Sequence, residues 1–295
     1  MRRNIKTLLS FNVAKEALLI DFIMEKMHGI SRNRAKALIS NRVVLVNNAI
    51  TTHPLTELVP GQVVQLDRSK HKKSFNSKEL DIVFEDPYLL VIDKQPGVLS
   101  MSNNTRQQTV QTVLNRYLEK GGGRNTSHLV HRLDRDTSGL MVYAKDVQTQ
   151  QSFINGWQEL VTDRRYVALV EGKFEKQRGT VRSWLTEDKR FITYSSPTDN
   201  GGKYAVTHYN VLASSNGYSL VECMLETGRK NQIRVHMADL GHPLVGDAKY
   251  GSNNDSIRRL GLHAYMLCFV HPVTGKRLRF ETPIPASFEK CLNGK

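Results

Sequence analysis

The sequence predicts an α+β fold: a large domain on a mixed, mainly antiparallel sheet, preceded by a small basic α/β module. Three observations predict it. Strand-like stretches outnumber helix-like ones and do not alternate with them regularly, which argues against a doubly wound sheet. Hydrophobic residues make up 39% of 295 residues, enough for a packed core. The formal net charge of +14 is spread unevenly. Residues 1–80 hold 14 Lys/Arg against 6 Asp/Glu, an excess of 8, and the remaining residues carry an excess of only 6. We therefore expect a module over 12–67, a basic linker over 68–80 and a larger domain over 81–295.

In the module, Leu18, Leu19, Phe22, Ile23 and Met27 recur at helical spacing, and Gly29 ends that helix. Ser31 suits the N-cap of a second helix whose core face is Ala35, Leu38 and Ile39. Arg32, Arg34 and Lys36 crowd its first turns, where cations oppose the helix dipole, so helix stability does not explain them. Strands follow at Val43–Val46 and Val63–Leu66, with turns at Asn47-Asn48 and Pro60-Gly61. The linker is rich in lysine, including Lys70, Lys72 and Lys73.

In the larger part, Ile82–Phe84 and Leu89–Ile92 flank an Asp86-Pro87 turn and predict a hairpin. Val110, Val113, Leu114, Tyr117 and Leu118 mark an amphipathic helix ended by Gly121–Gly123. Strands are expected at Leu140–Ala144, Tyr166–Val170, Tyr204–Leu212 and Tyr218–Leu225. A short helix carries Ile233, His236, Met237 and Leu240, and a last hairpin joins Leu262–Val270 to Leu278–Glu281.

Several classes are excluded. No apolar run approaches the length of a membrane span, and no signal peptide is recognised. Cys223, Cys268 and Cys291 are scattered and odd in number, against a disulfide framework or a cysteine-rich zinc site. His128 and His131 lack an indicated third ligand, so no metal is expected. Ser138 lacks the Gly-x-Ser-x-Gly elbow of a serine hydrolase. A cytoplasmic, monomeric protein is expected, with nucleic acid the leading partner for the charge and an anionic membrane surface second.

Two polar clusters carry possible chemistry. His131-Arg-Leu-Asp-Arg-Asp-Thr-Ser-Gly139 places Asp134 and Asp136 among Arg132 and Arg135, just before a strand. A guanidinium favours the ionised form of a neighbouring carboxylate, which then serves as nucleophile or base. The same pattern also describes a turn with surface ion pairs of little energy. The second cluster, Thr227-Gly-Arg-Lys-Asn-Gln-Ile-Arg-Val-His236, with Gly246-Asp-Ala-Lys-Tyr-Gly251, offers Arg229 and Arg234 for a phosphate or a carboxylate. It equally describes a helix start with solvated cations.

His131–Leu140 resembles the HRLDxxTSGL signature of RNA pseudouridine synthases of the RluA/RluD type. GRKNQIRVH, GHPLVGDAKYG and the ending HPVTGKRLRFETPIP resemble later parts of that family, and residues 17–66 resemble its alpha-L (S-four-like) RNA-binding domain. The resemblance implies a cofactor-free isomerisation of uridine in structured RNA, with large-subunit ribosomal RNA first and transfer RNA second. It implies Asp134 as the essential carboxylate, Tyr166 stacked on the uracil and Arg234 paired with Asp134. It makes Arg132, His131 and Arg229 substrate-binding residues, and Arg32, Arg34 and Lys36 phosphate contacts. Two departures stand out. Asn231 replaces the family's usual histidine, which makes that position structural, and Lys94-Gln-Pro-Gly97 shifts the proline of a KPxG turn by one. The competing readings are a non-catalytic RNA-binding or ribosome-assembly factor, and a carboxylate-based hydrolase using Asp134 and Asp136.

Overall fold

The computed structural model describes residues 8–40, 43–67, 75, 77–104, 106–120 and 126–294. The chain forms two compact units. One gathers the residues up to Asp93 with Gln111–His131 and Val142–Ile154; the other holds Lys94–Val110, Arg132–Met141 and the chain from Asn155 onward.

In the first unit the helix Leu19–Lys26 buries Leu19, Phe22 and Ile23, as the apolar spacing predicts, and Ile20 as well; Leu18 and Met27 flank it and are partly buried. Gly29, at φ +82°, lets the chain reverse. The helix Arg32–Ser40 follows and buries Ala35 and Ile39. Its entry is capped as expected: the Arg34 backbone N–H donates to Ser31 Oγ at 3.3 Å. Both helices pack on one apolar cluster with Val44, Leu58, Val64 and Leu66. The strands Val44–Val46 and Ala49–Thr51 form a hairpin through Asn47 and Asn48, both at positive φ, as a two-residue turn of matching twist requires. Antiparallel pairing then extends from Val44–Val46 to Val63–Asp67 and from there to Leu8–Asn12. The helix Val110–Lys120 forms as its periodicity predicts. Gly121–Gly123, Lys70, Lys72 and Lys73 lie outside the described residues.

The second unit is a mainly antiparallel sheet. Val161–Glu171 lies between Leu262–Val270 and Tyr218–Leu225, antiparallel to both. Tyr218–Leu225 pairs with Lys203–Ser215, and that strand with Arg178–Glu187, which carries the short edge strand Thr193–Ser196. The strand opening at Ser138 joins Leu262–Val270 in parallel, opposite His263 and Ala264. The helix Gln232–Asp239 and the C-terminal helix Ala286–Asn293 complete it.

The strands Leu8–Asn12, Arg178–Glu187 and Thr193–Ser196, and the helices Val147–Asn155 and Ala286–Asn293, go beyond the expected elements. Arg178–Glu187 buries only Ser183 and Leu185, so its residues show too little apolar alternation to be read as a strand. Pairing along its length with Lys203–Ser215 makes it one.

Candidate active site

Asp134 sits on a loop whose backbone is clamped on both sides. Lys94 is fully buried, and its ammonium donates to three carbonyls: Gln95 O at 3.0 Å, Val98 O at 2.8 Å and Arg135 O at 2.8 Å. Ser100 Oγ donates to Leu133 O at 2.8 Å. The carbonyls of the residues on either side of Asp134, Leu133 and Arg135, are thereby held by one segment, residues 94–100. A lysine ammonium has three donors and no acceptor, and carbonyl oxygens suit it as partners.

Beyond the loop the chain enters the sheet through Ser138 and Gly139. Gly139 adopts φ +117°, and a Cβ there would stand 2.2 Å from Ala264 O, so only glycine allows this approach. Arg259 Nη2 donates to Ser138 Oγ at 2.5 Å, and Ser138 Oγ lies 2.7 Å from His263 Nδ1. The Thr282 hydroxyl donates to Tyr265 O at 3.3 Å, so its oxygen accepts from the His263 ring and the serine proton goes to Nδ1. The histidine proton is then on Nε2, which faces Thr282 Oγ1 at 2.9 Å. Burial, reinforced by the Arg259 charge, pushes His263 down to about 3, so it stays neutral.

The sheet register carries this order to the next strand. Gly139 lies opposite Ala264, and Ala264 opposite Tyr166. Tyr265 is the extra residue of an irregularity between Met266 and Ala264, facing Arg165 and Tyr166. Burial pushes the Tyr166 phenol up; the Arg164 guanidinium opposes this and the Asp134 carboxylate adds to it. Tyr166 is therefore a neutral phenol close to Asp134.

Arg234 projects from the helix Gln232–Asp239. Its bidentate partner is Asp247, at 2.7 Å from Nε and 2.6 Å from Nη2, in place of the pairing with Asp134 expected from the sequence. Nη1 donates to Asn231 Oδ1 at 3.1 Å, and the guanidinium lies 5.0 Å over the Tyr250 ring. The physical reason is burial: the Asp247 side chain is wholly buried, and a buried carboxylate requires a charged partner of good geometry. Burial pulls the Arg234 guanidinium down, but Asp247, with further support from Asp134 and Tyr250, makes the net shift upward. Asn231 stands at φ +56°, a conformation asparagine tolerates, and its Nδ2 donates to Tyr250 OH at 3.0 Å. Asn231 thus braces both Arg234 and the ring beneath it.

The other sequence-predicted residues are placed more loosely. Arg132 is exposed at the mouth of the signature loop. His131 Nε2 accepts the Val142 backbone N–H at 3.1 Å, which fixes its ring. Arg229 donates through Nε to Tyr204 O at 3.0 Å. Arg32, Arg34 and Lys36 are exposed in the first unit, with Arg32 paired to Asp21 at 3.0 Å. Asp136 is held by its neighbour Arg135 at 3.0 Å on the surface, and Asp247 is committed to Arg234, so neither offers the second free carboxylate of a hydrolase. Sequence reasoning passed over Asp247, Tyr250, Ser100 and His263 as individual functional residues. The glycine spacing around Gly246-Asp-Ala-Lys-Tyr-Gly251 was the visible signal for Asp247 and Tyr250.

The arrangement joins a carboxylate on a clamped loop, a buried neutral phenol and a held guanidinium. Comparison with known proteins places it. The chain is 39% identical over 217 residues to the uncharacterized RNA pseudouridine synthase YjbO of Bacillus subtilis (strain 168), covering 73% of this chain and 76% of that protein. It is 35% identical over 279 residues to the ribosomal large subunit pseudouridine synthase D of Nitrosomonas europaea, covering 89% and 79%. The solved structure of human RNA pseudouridylate synthase domain containing 1 superposes with a TM-score of 0.61 at 27% identity, covering 73% of this chain and 89% of that one. The model of the family described as RNA pseudouridylate synthase matches residues 88–239, just over half of the chain and the stretch that contains Asp134, Tyr166 and Arg234, and the chain belongs to that family.

Proposed function

We propose that this enzyme isomerises uridine to pseudouridine at a defined position of large-subunit ribosomal RNA, with Asp134 as its essential carboxylate. The alignment over 89% of the chain with a relative named for the ribosomal large subunit carries the choice of RNA. In the reaction the N1–C1′ bond breaks, the uracil turns, C5 bonds to C1′, the C5 hydrogen leaves as a proton and N1 takes up a proton, so the product is an isomer of the substrate. The C5–H electron pair returns to the ring, so no redox partner is required. A uridine in structured RNA must leave its stack to reach Asp134, at least cost from a loop or bulge.

Each group has a role its surroundings support. Asp134 acts at the reacting nucleoside, and the Lys94 and Ser100 bonds to the flanking carbonyls hold its backbone. Tyr166, a neutral phenol on the same site, stacks on the uracil and assists loss of the C5 proton. Arg234, held by Asp247 and Asn231, supplies a fixed positive charge near the carboxylate. Arg132, His131 and Arg229 contact the RNA around the site. Residues 12–67 form an alpha-L RNA-binding domain that docks on phosphates through Arg32, Arg34 and Lys36.

Tritium release from RNA carrying 5-tritiated uridine tests this reading. The wild type releases tritium from large-subunit ribosomal RNA. Asp134→Asn lowers release by about a thousand-fold or more, an estimate for removing a nucleophile or base, while RNA binding stays within about three-fold. Release from transfer RNA alone would reassign the substrate. Full release by Asp134→Asn would remove the carboxylate from the mechanism.

A further inference from the structure

Arg164 and Arg165 are neighbours on the strand Val161–Glu171, so their side chains leave opposite faces of the sheet. The face of Arg165 is saturated with negative charge. Arg165 contacts Asp163 at 2.9 Å and Glu222 at 3.4 Å, and the Tyr265 hydroxyl also donates to Glu222. Arg164 shares its face with Tyr166, two residues on. Among the described residues no carboxylate pairs with it.

Arg164 is nonetheless held. Its guanidinium lies 5.2 Å from the centroid of the Trp157 ring. On another side it meets Gly228, where a Cβ would come within 3.2 Å of Nη1. The glycine leaves this guanidinium its room, and the side chain is half-buried. Its charge reaches the Tyr166 phenol, as does that of Asp134. In the same unit Arg234 is bound to Asp247, Arg229 to the Tyr204 carbonyl and Lys230 to Glu187.

We propose that Arg164 binds a phosphodiester group of the RNA immediately next to the uridine being isomerised. A base drawn out of its stack brings its own two phosphates with it. The planar guanidinium fork matches two phosphate oxygens, whereas a carbonyl or hydroxyl of uracil would use only part of it. Trp157 sets the plane of the fork, and Gly228 leaves space at its edge. Arg164 is thus a substrate-positioning residue that anchors the backbone while Tyr166 receives the base.

This inference rests on the reading of Asp134 and Tyr166 as the uridine site, and the test separates the two. A short RNA containing the target uridine is prepared with a neutral methylphosphonate at the phosphate on its 5′ or its 3′ side. With wild-type protein, one of the two replacements raises KM by about ten-fold, the scale of one charge-assisted contact, while kcat changes little. Arg164→Gln shows the same rise on unmodified RNA and no further rise with that methylphosphonate. Arg164→Lys, which keeps the charge and loses the fork, recovers part of the affinity. Equal methylphosphonate penalties in wild type and Arg164→Gln, or wild-type KM in Arg164→Gln, would overturn the assignment. Absence of turnover by wild type on the unmodified RNA would instead overturn the reading of the site itself.

Discussion

The helices Arg32–Ser40 and Gln232–Asp239 are of similar length and both carry arginine, yet they treat charge in opposite ways. Arg32–Ser40 buries only Ala35 and Ile39 and leaves Arg32, Arg34 and Lys36 in solvent. The ion pair of Arg32 with Asp21 has both side chains about half exposed, and such pairs contribute little. Gln232–Asp239 buries five of its eight residues, Gln232 and His236 among them. Gln232 Nε2 donates to Val206 O and Thr207 Oγ1, and His236 lies between Ser183 and Thr207. Arg234 is locked to Asp247. Charge on the first helix is therefore free to act on a partner, and charge on the second is part of the fold. The first should answer to salt and the second to denaturant and pH.

The largest test of that contrast is Asp247→Ala. It strips the carboxylate from a buried guanidinium, which costs about 3–5 kcal/mol of stability. Urea unfolding measures it, and unchanged stability would erase the distinction between the helices. Tritium release from the folded fraction should fall as well, because Arg234 loses its orientation.

A somewhat smaller effect is expected from pH. Burial, opposed by the charge of Asp239 three residues on in the same helix, pushes His236 down to about 4, against an unfolded value near 6.5. As pH falls below about 6.5, the unfolded chain takes up a proton that the folded one refuses, so stability is full above that pH and declines toward pH 4. The loss is on the order of 3 kcal/mol for a shift of this size. His263 acts in the same sense and over a window reaching lower. The stability difference between wild type and His236→Gln, followed from pH 7 to pH 4, should shrink with acidity; a difference independent of pH would show that His236 is not held neutral.

The smallest effect on the fold, and the sharpest on binding, is expected from Arg32→Gln, Arg34→Gln and Lys36→Gln combined. Stability should move by less than about 1 kcal/mol, since exposed charges contribute little. RNA affinity at low salt should fall by roughly ten-fold, and the slope of log affinity against log salt should flatten by about 2. Loss of stability without a change in salt dependence would make the two helices alike after all.

The elements carried by local signals were legible from residue pattern. The Asn47-Asn48 turn, the Ser31 cap, the amphipathic helix at Val110 and the strand Tyr218–Leu225 each follow from turn chemistry or periodicity within a few residues, whereas the short strand Ala49–Thr51 after that turn was not expected. The strand Arg178–Glu187 was not legible, because its residues are mostly polar and its pairing with Lys203–Ser215 defines it. Asn231 was legible as an oddity of sequence, but its role as a brace required its contacts with Arg234 and Tyr250.

The amino-acid sequence by itself determined the α+β class, the basic charge of the N-terminal part, and the family to which Asp134, Tyr166 and Arg234 point. These depend on composition, periodicity and contiguous motifs, which act over a few residues of chain. Tertiary structure alone decided the partners. It set Lys94 on the carbonyl of Arg135, 41 residues away, and Ser138 on His263, 125 residues away. It also gave Arg234 to Asp247 and, among the described residues, left Arg164 without a carboxylate. Whether a charge is paired depends on which groups share its buried volume. Strand register and chain reversal assemble that volume from segments that carry no local mark of one another.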